Sequence, residues 1–167
     1  MKTPKKILIP IDMSTYSLVG VEYGEEIANL FDAEVVLLIV DDNEIPLLMT
    51  SADVHPGVTK EESRRQLIIK AVQRLIMNHS LVLRSLKIEV RQGSPAQKIV
   101  QTADELHADL IIMSTHGRTG LPHVLLGSIA EKVVRLARCP VLTVKPDEVR
   151  ELIDLTEEDV AGSLHLN

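Results

Sequence analysis

Aromatic side chains are nearly missing from this chain: one Phe, two Tyr and no Trp in 167 residues. Apolar residues still make up 45%, so any core must be aliphatic, built from Ile, Val, Leu and Ala. Cysteine is scarce too. A single Cys139 excludes an internal disulfide and fits a reducing compartment, so a cytoplasmic location is expected. Free Cys is usually a small buried side chain, and no neighbouring base marks this one as reactive. No apolar run approaches the roughly 20 residues that span a bilayer. Ile7-Leu-Ile9, behind Lys2, Lys5 and Lys6, is too short for a signal-peptide core. No membrane association is expected.

Excess positive charge is also lacking. The net charge of −6 argues against nucleic acid as a partner. That acidity is local. Residues 147–167 hold seven acids against Arg150 alone, which leaves residues 1–146 balanced. The length suits one domain, read here as residues 1–146, followed by an acidic tail at 147–167. Apolar residues among the tail's acids suggest a short amphipathic helix, either docked on a partner or frayed.

Five aliphatic segments alternate with four helical patterns. Lys5–Asp12, Glu34–Asp41, Leu86–Arg91, Asp109–Met113 and Cys139–Lys145 read as strands. The first two are continuous apolar runs, as expected of strands covered on both faces. Leu86–Arg91 alternates, which suits an edge, and Pro140 suits an edge as well. Pro10 is expected at the end of its strand. Helices are expected from Ser14 or Ser17 to Phe31, from the capping box Thr59-x-x-Glu62 to Asn78, after the N-cap Ser94 and Pro95, and from Ser128 to Ala137. Gly20 and Gly24 share a face of the first helix, which implies close approach to the sheet. Lys60, Arg64, Arg65, Lys70 and Arg74 read as the solvated face of the second. Residues 42–58 lack periodicity; such a segment covers a site, binds a partner or is disordered. The pattern is that of an α/β fold, a doubly wound five-stranded parallel sheet with helices on both faces.

The chemistry concentrates in Met113-Ser-Thr-His-Gly-Arg-Thr-Gly-Leu-Pro-His-Val-Leu-Leu-Gly-Ser128. A strand leads into this glycine-containing loop and a helix leads out, an arrangement suited to phosphate. Glycine permits close backbone approach and positive φ, and the first N–H groups of a helix attract anions. A Walker A loop is excluded, because six residues separate Gly120 from Gly127 and no Lys precedes Ser128. The dinucleotide fingerprint is absent from this stretch. What remains is Ser114-x-x-Gly117, nine residues, then Gly127-Ser128. This resembles the Gly-x-x-Gly, nine residues, Gly-Ser/Thr motif of the universal stress protein family, with Ser114 replacing the first glycine. The resemblance covers roughly residues 5–145 and includes Pro10-x-Asp12 and Cys139-Pro-Val.

The resemblance implies strand order 3-2-1-4-5 and an ATP site, with ADP or AMP as alternatives, between the first and fourth strands. Main-chain groups around Ile11 and Val40 would flank adenine, with Pro10 leading into Asp12. Asp12 and Met113–Ser114 would address the ribose. Gly117, Gly127, Ser128 and Ile129 would hold phosphates, with Arg118 neutralising a terminal one. By residue preference alone Asp12 also reads as a helix cap, and the two roles can coexist. Any Mg²⁺ would be carried by the phosphates, and no protein metal site is expected. His116 and His123 read as structural or phosphate-adjacent, since neither has an evident orienting partner. Ser114 leaves binding intact if its position keeps strand geometry. The family also implies a homodimer through residues 140–145.

Three functions follow. The first is an ATP-binding regulator of stress responses acting as a homodimer, with no catalytic residues. The second is a slow ATPase or nucleotide transferase, for which Asp12 and His116 are the candidate groups. The third is a nucleotide-free protein-interaction module that works through residues 42–58 or the acidic tail.

Overall fold

The computed structural model describes residues 3–43, 57–79, 86–117 and 126–146. The chain runs β1 (Lys6–Ile11), α1 (Thr15–Phe31), β2 (Glu34–Asp41), α2 (Lys60–Asn78), β3 (Leu86–Gln92), α3 (Pro95–Leu106), β4 (Leu110–Ser114), α4 (Ser128–Leu136) and β5 (Val141–Val144). All strand pairs are parallel and the order is β3-β2-β1-β4-β5.

Successive strand residues point to opposite faces, and both faces are covered, which explains the unbroken aliphatic runs. Ile7, Ile9, Val35, Leu37 and Ile39 join Leu18 and Val21 of α1 and Ile68 and Val72 of α2 on one face. Leu8, Val36, Leu38 and Val40 join Ala96 and Ile99 of α3 and Ala130 and Val133 of α4 on the other. Each fully buried Ile or Leu contributes about 2 kcal/mol. The alternating β3 and the Pro-led β5 are the two edges, and β3 has no fully buried residue.

Two proline positions shape the sheet. Pro10 lies one residue inside β1 and still pairs with Leu38 of β2. Registered pairs between β1 and β4 stop at Leu8–Ile111, before Pro10, which has no N–H to extend the ladder. Pro140 falls just outside β5, although its carbonyl accepts the Ile111 N–H at 3.0 Å.

The helix starts follow local chemistry. Ser14 caps α1, its Oγ accepting the Ser17 N–H at 3.2 Å. Thr59 Oγ1 accepts the Glu62 N–H at 3.1 Å and caps α2. Ser94 occupies the N-cap of α3, yet its hydroxyl makes no capping bond; Pro95 opens the helix instead. The close approach expected at the α1 glycines is present at Gly24, where a Cβ would collide with Ile9 Cδ1. Residues 44–56, including His55, and the tail at 147–167 lie outside the described residues.

Candidate nucleotide site

Strand order reverses between β1 and β4, and ligands of open α/β sheets bind beyond the carboxyl ends of the strands at such a point. A cavity of about 380 Å³ lies there. Pro10, Ile11 and Asp12 reach it from β1, Leu38, Val40 and Asp42 from β2, and Met113 to Gly117 from β4. Gly127 to Ala130 close it from the start of α4, Pro95 and Ile99 from α3, and Ser17 from α1. Every site residue expected from sequence lines this cavity except Arg118, which lies outside the described residues together with Gly120 and His123.

Asp12 supports the cap of α1 without being the cap. Its Oδ1 accepts the Ser14 N–H at 3.1 Å and the Ser14 hydroxyl at 2.5 Å. Its Oδ2 faces Gly117, where an added Cβ would run into it. Gly127 is equally confined: a Cβ there would sit 2.9 Å from the Thr115 carbonyl oxygen. Neither glycine adopts positive φ. Lack of room beside backbone favours glycine at Gly127, whereas a Cβ at Gly117 would have to displace the end of the Asp12 side chain.

The Gly127 N–H donates to Thr115 O at 2.8 Å. It ties α4 to the end of β4. Ser128, Ile129 and Ala130 begin the helix, where their N–H groups have no intrahelical acceptor. Ser114 ends β4 in strand geometry, 7% exposed, and its Oγ accepts the His116 N–H at 3.1 Å. The Cβ that the usual glycine lacks is therefore accommodated within the strand.

His116 is buried at 6% exposure. Its Nδ1 lies 2.9 Å from Thr115 Oγ1, while Nε2 has no hydrogen-bond partner among the described residues. Among the described residues, no group of three His, Cys, Asp or Glu is placed to hold a metal ion.

One polar feature was misread in the sequence. Arg64, assigned to the solvated face of α2, turns inward and donates from Nε at 2.5 Å and Nη2 at 2.8 Å to the two oxygens of Asp41. Asp41 is 2% exposed at the end of β2. The Arg64 guanidinium holds its carboxyl below the ordinary carboxylate range, against the opposing effect of burial. Sequence reasoning also missed Ser17, Leu38, Asp42, Pro95, Ile99, Thr115 and Ala130 in the cavity wall. Asp42 had a usable signal, since it follows β2 as Asp12 follows β1. Thr115 had none.

The profile of the universal stress protein family matches residues 3–145. This chain belongs to the universal stress protein family. Universal stress protein MJ0531 of Methanocaldococcus jannaschii is 39% identical over 145 residues, which cover 84% of this chain and 82% of the relative. The solved structure of MJ0577 from the same organism superposes with a TM-score of 0.66 at 29% identity, covering 87% of this chain and 98% of that one. An Arabidopsis thaliana family protein, solved with AMP bound, shares the fold at a TM-score of 0.54 and 20% identity, covering 85% of this chain and 92% of that one. Among the described residues, no helix of this universal stress protein is long and apolar enough to cross a membrane.

Proposed function

We propose that this universal stress protein binds an adenine nucleotide, ATP, with ADP and AMP as alternative occupants, and acts as a homodimeric, cytoplasmic regulator of stress responses. The observation that carries the reading is the pairing of two confined glycines, Gly117 against Asp12 and Gly127 against Thr115, beside the start of α4. Together they keep side chains away from a helix terminus that favours anions. The cavity of about 380 Å³ falls within the range of small-molecule sites. An Arabidopsis relative of the same fold holds AMP, which supports the same ligand class.

In this reading main-chain groups near Ile11 and Val40 flank adenine, with Pro10 shaping the approach. Asp12 and Met113–Ser114 address the ribose. The N–H groups of Gly117, Ser128 and Ile129 and the Ser128 hydroxyl hold phosphates, with Arg118 neutralising the terminal one. Gly127 positions these groups by its bond to Thr115. Mg²⁺ would arrive on the phosphates. Binding is favoured over turnover because the cavity's imidazole, His116, is engaged by Thr115 Oγ1 and has no orienting carboxylate among the described residues. The dimer would form through residues 140–145, since β5 is an edge strand and carries the exposed Leu142.

Native mass spectrometry of freshly purified protein tests this directly, with a dimer carrying ATP or AMP as the expected result. Gly127→Arg should abolish ATP binding by calorimetry while circular dichroism stays unchanged. Undiminished binding by that variant would refute the phosphate assignment.

A further inference from the structure

Asp41 does not line the cavity, but its neighbours Val40 and Asp42 both do. Its side chain, 1% exposed, receives both fork nitrogens of Arg64 from α2. Asp41 Oδ1 also accepts the Asn43 N–H at 3.1 Å. Its carbonyl accepts the Gly93 N–H at 3.2 Å. Gly93, at φ 128°, makes the turn into α3, whose Pro95 and Ile99 line the cavity. One residue thus joins α2, the end of β2 and the entry to α3.

A buried ion pair is a poor source of net stability, because desolvation offsets much of the attraction. Its two parallel bonds are a good source of fixed geometry. We propose that Arg64 and Asp41 form a clasp that sets the position of the β2–α3 wall and so determines how closely the cavity fits a nucleotide base. Both are positioning residues, since neither lines the cavity. The inference rests on the nucleotide reading above, in which Val40 flanks adenine. Lys cannot replace Arg64 fully, for an ammonium cannot bind both carboxylate oxygens in the same fork.

The test uses the full chain and the variants Arg64→Gln and Arg64→Lys, with ATP and GTP titrated by calorimetry. Amide exchange is measured on the ligand-free proteins. Arg64→Gln should reduce the preference for ATP over GTP about tenfold, equivalent to about 1.4 kcal/mol, through loss of ATP affinity. Arg64→Lys should fall between it and the parent. Exchange at Asn43 and Gly93 should quicken about tenfold in Arg64→Gln while Ile9 and Ile112 keep their protection. General destabilisation would weaken both nucleotides in parallel and leave their ratio unchanged, and that outcome overturns the proposal. A parent that does not distinguish ATP from GTP overturns it too, as does unaltered exchange at Gly93. A parent that binds neither nucleotide refutes the nucleotide reading instead, and amide exchange then decides the clasp by itself.

Discussion

On its β4–α4 side the cavity wall is bare of side chains at two points, Gly117 and Gly127. A Cβ on Gly127 would be stopped by the Thr115 carbonyl, which is backbone, whereas one on Gly117 would press on the end of the Asp12 side chain. On its β2–α3 side the wall carries ordinary apolar side chains, Val40, Pro95 and Ile99, held from behind by the buried Asp41–Arg64 pair. One wall is shaped by removing side chains and the other by pairing charged ones. The difference teaches how each should fail. A side chain added to the first presses on the protein groups that border the cavity, whereas loss of a partner in the second leaves a charge without compensation inside the protein.

The largest stability change should come from the paired wall. Arg64→Met removes the fork and strands the Asp41 carboxylate at 2% exposure. Breaking a buried pair from one side costs about 3–5 kcal/mol, and Arg64, 17% exposed, places the expectation at about 3 kcal/mol. Urea unfolding at neutral pH measures it.

Acid should release the same clasp. Arg64 lowers the Asp41 pKa below its ordinary 3.8, so the charged form favours folding at every pH above that value. That contribution is lost as pH falls from about 4 through the lower pKa of the folded state. Parallel urea titrations of the parent and Asp41→Asn from pH 6 to pH 3 should show a steeper acid decline in the parent. Equal slopes would mean that the pair does not hold this carboxyl ionised in solution.

The two walls were also unequally legible in the sequence. The glycine wall could be read because Gly117 and Gly127 stand at a fixed spacing between an aliphatic strand and a helix start. The sheet could be read because continuous Ile, Leu and Val runs need cover on two faces. The clasp could not. Arg64 sits among Lys60, Arg65 and Lys70 in a pattern typical of a wet helix face, and its partner lies 23 residues earlier. Only the docking of α2 over the end of β2 reveals the pair. The bond from Gly127 N–H to Thr115 was hidden for a related reason, because spacing does not show which helix-terminal donors the fold itself consumes.

Smaller effects test the bare wall. Gly127→Ala places a methyl 2.9 Å from the Thr115 oxygen, so the start of α4 must shift by a few tenths of an ångström. Overpacking typically costs 1–3 kcal/mol, and a shift this small sets the expectation at about 1 kcal/mol. ATP affinity should fall about tenfold, the equivalent of 1.4 kcal/mol, because the Ser128 and Ile129 N–H groups move with the helix.

The smallest effect carries the opposite sign and separates a glycine required by the wall from one merely behind it. A Cβ on Gly20 would stand 3.5 Å from Met113 Cα and from the Ser114 N, which is ordinary contact. Ala is favoured over Gly inside a helix by about 1 kcal/mol, so Gly20→Ala should stabilise the protein by up to that amount and leave ATP affinity unchanged. Gly24→Ala should instead destabilise it, since its methyl would collide with the fully buried Ile9. If Gly20→Ala weakens ATP binding without lowering stability, the β4 backbone at Met113–Ser114 has moved under light pressure from α1. The bare wall would then depend on its backing just as the paired wall depends on Arg64.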